Sequence, residues 1–291
     1  MLDDASSPFG TGTAWVLTIS CADRPGIVAT VTGTLAANGG NIMESSQFGN
    51  PTSGKFFLRI QFVADRSRDQ LLHALTPVFE QFTMRFELDI VGRRRRTLLM
   101  VSKAPHCLVD LLYREKHQAL PIDVVGVVGN HQDLAEIAEF YGKTFHHIPV
   151  TATTKPQAEA RLRALVAELD VELVVLARYM QILSDELCRD LAGQVINIHH
   201  SFLPSFKGAR PYAQAHERGV KLIGATSHYV TGDLDEGPII EQDVERVDHS
   251  APVSELMAIG EDVERRTLAR AVRWHAEHRV LLDGHRTVVF R

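Results

Sequence analysis

Three polar side chains are the residues of this sequence best equipped for chemistry: an amide at Asn197, an imidazole at His199 and a carboxylate at Asp235. They stand in INIHHSFLPSFKGA and ATSHYVTGDLDEGPIIEQDV, within residues 195–244. Both segments read as ends of apolar strands, where doubly wound sheets carry their ligands. Together the three groups can add a nucleophile to a small acyl carbon. Singly, each has a plainer reading: an asparagine cap, a hydrogen-bonded core histidine, and an aspartate that makes a turn before Glu236 and Gly237.

Near-continuous apolar runs at 97–101, 122–128, 171–177 and 195–198, separated by helical segments, predict strands buried on both faces. A mainly parallel sheet with helices on both sides follows. Pro156 after Thr154 marks a helix start, and Ser184 with Gly193 brackets another helix. A helix over 254–274 precedes a hairpin turn at Asp283-Gly284. Upstream, the order is strand 15–20, turn 23–26, helix 27–37 closed by Asn38-Gly39-Gly40, strands 41–48 and 55–63, helix 67–79 and strand 82–90. That is a ferredoxin-like βαββαβ unit. The fold class is therefore α/β, with a flexible tail at 1–12, a small regulatory or oligomerisation domain at 13–91, a linker at 92–97 and a larger Rossmann-like catalytic domain at 98–291.

With 291 residues, 45% hydrophobic, 23% charged and a net charge of −5, the chain has the composition of an ordinary globular protein and not of a nucleic-acid scaffold. Cys21, Cys107 and Cys188 are scattered, with no C-x-x-C spacing and no signal peptide ahead of them, which favours a reducing cytoplasm. No apolar run approaches the roughly 20 residues of a membrane span. Arg93 to Arg96 either attract an anion or form a solvated boundary before a strand, and the second reading is preferred. The loop within 101–112 has no glycine, and no G-x-G-x-x-G or Walker pattern occurs, so no nucleotide cofactor is expected. Neither His146-His147 nor His199-His200 builds a metal ligand set, and H-E-x-x-H is absent. With no metal expected, water activation falls to side chains.

The DRPGIV turn at 23–28, with Asn41 opening the next strand, resembles the ACT domain, a module that often binds amino acids and usually pairs with a copy of itself. The resemblance implies Asp23, Gly26, Ile27 and Asn41 as effector-contacting positions, glycine or methionine as effector, and a homodimer or homotetramer. A glycine-bearing helix N-terminus suits a carboxylate, although Gly26 could serve the turn alone and the module dimerisation alone.

NIHHSFLP, HYVTGDLDEGPII and ARYMQILS at 177–184 resemble the folate-dependent formyltransferase fold over most of 97–245. The domain order and the wording NIHHSFLPSFKGARPY are similar to the formyltetrahydrofolate deformylases. This implies hydrolysis of 10-formyltetrahydrofolate to formate and tetrahydrofolate, supplying formate to one-carbon and purine metabolism, with the folate as substrate and no further cofactor. Asn197 would donate to the oxyanion, His199 would stabilise charge and move protons, and Asp235 would hold the attacking water, its pKa raised by desolvation. Met180, Gln181, Ile182 and Leu183 would form the pterin pocket, closed by backbone from Val230 through Asp233 to Asp235, with His228 a further substrate-binding position; Met180, Ile182 and Leu183 could instead be plain core at the start of a helix, and the pocket reading is preferred. Arg178 would reach the glutamyl tail or form an ion pair. Related transferases carry a glycine-rich phosphate loop where this chain has Ser102-Lys103-Ala104-Pro105-His106, and a transfer-RNA formylating relative would need a basic nucleic-acid-binding region that this net acidic chain lacks, which leaves water as acceptor; His200 stands where related transferases commonly have proline. Transfer to an amine and a catalytically silent sensor are the alternatives.

Overall fold

The computed structural model describes residues 12–202 and 211–291, except for the Pro211 side chain. All of the expected tail but Gly12, and residues 203–210 of the SFLPSFKGARPY motif, lie outside them. The chain divides into two units, Met1–Arg93 with Glu277–Arg291, and Arg94–Ala276.

The first unit contains β1 (Thr13–Ala22), α1 (Ile27–Ala37), β2 (Asn41–Asn50), β3 (Lys55–Ala64), α2 (Arg68–Phe82) and β4 (Arg85–Ile90). Its sheet runs β2-β3-β1-β4 with every pairing antiparallel. The pleat sends Leu17 and Ile19 of β1 and Leu58 and Ile60 of β3 to one face, where Val31, Leu35, Leu71 and Leu75 of the helices meet them. Ser67 opens α2 with a reciprocal capping box to Gln70. The helix passes through Pro77 to Phe82, beyond its expected end at residue 79, because Val78, Phe79 and Phe82 are all buried.

The second unit contains β5 (Arg95–Val101), α3 (His106–Lys116), β6 (Ile122–Gly129), α4 (Ala135–Phe140), β7 (Phe145–His147), α5 (Lys155–Glu168), β8 (Leu173–Leu176), α6 (Asp185–Asp190), β9 (Val195–His199), α7 (Pro211–Glu217), β10 (Leu222–Tyr229), β11 (Ile239–Arg246) and α8 (Val253–Ala276). The sheet order is β11-β10-β9-β8-β5-β6-β7. It is parallel from β9 to β7 and antiparallel where β10 and β11 extend it. Leu98, Met100, Val128, Val174 and Val195 face the core formed with α5 and α6. The alternate residues Leu99, Val101 and Val175 are equally buried, so the opposite face is covered as well, and there α3 and α8 pack together. Four strands coincide with the apolar runs; β7, β10 and β11 are not marked by such runs, since β7 has three residues and β10 buries Thr226, Ser227 and His228.

Two domain boundaries differ from expectation. The arginines do not form a solvated linker, because strand β5 already begins at Arg95. Arg93 pairs with Asp89 at 2.8 Å, Arg94 with Glu115 at 2.8 Å and Arg95 with Glu172 at 3.0 Å, while Arg96 Nε donates to the Leu169 carbonyl at 2.9 Å. At the other end, residues 277–291 belong to the first unit and not to the catalytic domain. Their hairpin, β12 (Val280–Asp283) and β13 (Arg286–Val289), turns at Gly284 and His285, and Leu281 and Phe290 bury against Phe57 of β3. Polar contacts fix it: Asp283 accepts from Asn50 at 2.6 Å and Ser53 at 2.9 Å, and fully buried Arg59 donates to the Glu277 carbonyl at 3.1 Å.

Candidate active site

Asn197 and His199 are two residues apart near the C-terminal end of β9, so the pleat places them on one face. In the antiparallel pairing with β10, His228 lies opposite Asn197 and Thr226 opposite His199. The chain leaves β10 and returns as β11 through the loop that carries Asp235, whose backbone is left-handed at φ 57. Gly237 lets that loop fold back, because a Cβ there would collide with the Tyr229 carbonyl, and Tyr229 N bonds to the Pro238 carbonyl at 2.9 Å.

The loop delivers the Asp235 carboxylate to two imidazoles. One oxygen lies 3.3 Å from His199 Nδ1 and the other 3.7 Å from His228 Nε2. His228 Nε2 is also 3.3 Å from Asn197 Nδ2, and its Nδ1 donates to the Tyr229 carbonyl at 2.9 Å. Asn197 Nδ2 carries two hydrogens and, among the described residues, only His228 meets one of them, so the other N–H is available to a ligand. Contacts with His199, then His228, outweigh burial and hold the Asp235 carboxyl well below the usual carboxylate range. This corrects the expectation that desolvation raises it: Asp235 is ionised.

His200 follows directly, its ring 4.8 Å from that of His199 and tilted by 31°. Burial, then the charges of Arg178 and His199, lower its pKa to about 4, so it is neutral at pH 7. Arg178 does not stand free for a glutamyl tail. Its backbone is left-handed at φ 65, and its Nε lies 3.4 Å from Glu264 on α8. Glu264 is 1% exposed and also receives His106 Nε2 at 2.8 Å and the Tyr212 hydroxyl at 3.0 Å. Nothing in the sequence marks Glu264, His106 or Tyr212, because their convergence joins the starts of two helices to the middle of a third.

Residues 179–183 form the loop after β8, beside the switch point at which β5 has β6 on one side and β8 on the other. Ser102 ties the loop there: its Oγ accepts from Met180 N at 2.9 Å, and its N donates to the Arg178 carbonyl at 3.3 Å. Glu159, nine-tenths buried, holds the far end through Ser184 N at 2.8 Å and Ser184 Oγ at 2.5 Å. Leu183 is core, whereas Met180 and Ile182 are 60% and 58% exposed. Gln181, Ile182 and Leu183 line an open pocket with Met100, Val128 and Tyr179. Val230 N bonds to the Val195 carbonyl at 2.9 Å, and the Asp233 carbonyl accepts from Thr231 and Glu236, so the closing segment is a hydrogen-bonded turn.

Donor atoms of His106, Cys107 and Glu264 lie within 4.8 Å of one another. Burial and Glu264 push the Cys107 thiol well up, so it stays protonated, and Glu264 already serves three partners; the set is a poor cation site.

In the first unit the four expected effector positions do not gather. Asp23 and Gly26 are exposed at the start of α1, whereas Asn41 follows its other end, about 16 Å along an 11-residue helix. Ile27 is 2% exposed and belongs to the core.

The chain matches the ACT domain over residues 15–79 and the formyl transferase family over residues 95–272, so it pairs an ACT module with a formyltransferase-type catalytic domain. Formyltetrahydrofolate deformylase of Corynebacterium sp. (strain P-1) is 52% identical over 280 residues, 95% of this chain and 98% of that protein. The crystal structure of formyltetrahydrofolate deformylase from Burkholderia mallei superposes with a TM-score of 0.93 at 52% identity, covering 96% of this chain and 100% of that one. This chain belongs to the formyltetrahydrofolate deformylase family. By contrast, glycinamide ribonucleotide transformylase 1 from Symbiobacterium toebii covers 70% of this chain and 98% of its own, at a TM-score of 0.64 and 29% identity.

Proposed function

We propose that the protein hydrolyses 10-formyltetrahydrofolate to formate and tetrahydrofolate, with Asn197, His199 and Asp235 as its catalytic residues. The observation that carries the assignment is an ionised carboxylate 3.3 Å from His199, in a cluster that leaves one Asn197 N–H to spare. Asp235 accepts a hydrogen bond from the attacking water. As the water oxygen bonds to the formyl carbon, negative charge moves to the formyl oxygen, where Asn197 and His199 stabilise it. The proton lost by water passes through the Asp235–His199 pair to N10 as the C–N10 bond breaks. Formic acid leaves and ionises. No step requires a cofactor.

Gln181 to Leu183 hold the pterin, with Met180 and the turn from Val230 to Asp233 at its edges; exposed Met180 and Ile182 are apolar surface suited to a flat heterocycle. His228 positions Asn197 and Asp235 from beneath. The formate feeds one-carbon and purine synthesis in the cytoplasm, a placement that suits three free, buried cysteines. The ACT module binds glycine or methionine at the exposed Asp23–Gly26 turn and joins copies of the chain into a homodimer or homotetramer. Incubation with 10-formyltetrahydrofolate tests the central claim: formate and tetrahydrofolate appear in equal amounts without an added amine, and absence of formate sinks it.

A further inference from the structure

The acyl site lies at the C-terminal ends of β5, β8 and β9, and the two faces of the sheet differ there. On the face shared by Asn197, His199 and Met100 lies the open pocket lined by Gln181 to Leu183. On the opposite face α3 and α8 pack together, and the N-terminus of α3 would ordinarily offer free N–H groups to a ligand. Here the chain fills the place with its own side chains. His106, Arg178 and Tyr212 all point at Glu264, which lies one helical turn beyond Gly260 on α8. The Tyr212 hydroxyl sits where a Cβ on residue 260 would be, so the ring is pressed against the helix backbone. Exposures of 8% for His106 and 1% for Glu264 show that solvent does not enter between them. His200 has its ring 4.8 Å from that of His199 and feels the charges of Arg178 and Glu264 as well as that of Asp235.

We propose that the quartet of His106, Arg178, Tyr212 and Glu264 is an acceptor-excluding plug: it occupies the side from which a second organic substrate would reach the formyl carbon and leaves room only for water. The proposal rests on the hydrolytic reading above and adds the cause of its acceptor specificity. A buried carboxylate with two hydrogen-bond donors and a guanidinium beside it is costly to open, because each partner drawn away leaves charge unpaired. An amine of any size would have to displace it. In an opened site the amine nitrogen bonds to the formyl carbon, the C–N10 bond breaks, the amine proton passes to N10, and the products are a formamide and tetrahydrofolate.

The test uses the full-length enzyme with glycinamide as amine probe, measuring formamide and formate together. Wild type yields formate alone, and glycinamide does not slow it; formylglycinamide from wild type at a comparable rate overturns the plug without touching the hydrolytic assignment. Tyr212→Ala and His106→Ala, made separately so that a folding failure in one leaves the other, yield formylglycinamide at a formamide-to-formate ratio about 10-fold or more above the detection limit that bounds wild type. Tyr212→Phe keeps the volume and stays hydrolytic. An unchanged ratio in whichever alanine variants fold, as judged by circular dichroism, refutes the proposal, whereas absence of formate from wild type refutes the underlying function instead.

Discussion

The two sheets bury charge in opposite manners. In the first unit, Arg59 is fully buried on β3 and spends its guanidinium on Glu44 at 2.9 Å and the Glu277 carbonyl at 3.1 Å. Its backbone neighbours are ordinary strand, and its contacts tie β2 and the start of the terminal segment to β3. In the second unit, the buried groups at the strand ends sit beside left-handed residues, Arg178 at φ 65 and Asp235 at φ 57, and one keeps an unused donor. Burial alone therefore does not mark a working site. What marks it is burial joined to backbone strain and spare hydrogen-bonding capacity.

The sharpest way to break this contrast is to remove one group from each sheet. Asp235→Asn and Asn197→Ala lower kcat/KM for deformylation by about 100-fold or more, while each variant still folds as judged by circular dichroism. Wild-type rates in either variant would remove that residue from the mechanism. Arg59→Ala does the reverse. It strips the Glu277 carbonyl of its donors and costs about 3 kcal/mol in denaturant unfolding, while the folded fraction keeps its turnover.

A second contrast concerns pH. His200 has a pKa near 4 in the folded chain, below the ordinary histidine value of about 6.5. The unfolded chain therefore takes up a proton as pH falls through 6.5 while the folded chain does not, and stability drops until about pH 4, by up to about 3 kcal/mol. Asp235 acts in a lower window: its carboxyl is held below its unfolded value, so its contribution is intact throughout that interval and fades only at more acid pH. His200→Asn should flatten the stability profile between pH 6.5 and 4. An unchanged slope would show that His200 is not buried neutral.

The convergence of Asn197 and His199 was legible because motif spacing fixes which residues share a strand face, and the two need only the period of two. The charge state of Asp235 was not, since sequence conveys that a loop is half-buried but not that two imidazoles wait at its tip. The ferredoxin-like unit was readable from alternation in β1 and β3, yet its last piece was assigned to the wrong domain. Leu281 and Phe290 meet Phe57 across more than 220 positions, and no local pattern encodes such a pairing. Long-range pairing also hides Glu264, whose partner His106 is 158 positions away and which looks like one more polar position on an amphipathic helix.

The smallest effects refine the contrast further, because the two units contain serine caps of equal geometry. Ser67 accepts from Gln70 N at 3.3 Å and Ser184 from Leu187 N at 3.3 Å. Ser67 is exposed and, among the described residues, its hydroxyl bonds to Gln70 N alone, so Ser67→Ala costs about 1 kcal/mol and leaves KM untouched. Ser184 also donates to Glu159, a nine-tenths buried carboxylate that holds the loop bearing Gln181 and Ile182. Ser184→Ala therefore removes a cap and a charge-assisted bond together, costing about 2 kcal/mol and raising the folate KM as the loop loosens. Equal losses of stability with no change in KM would mean that the Glu159 anchor serves the helix alone and that the pterin wall is held by Ser102 at its other end.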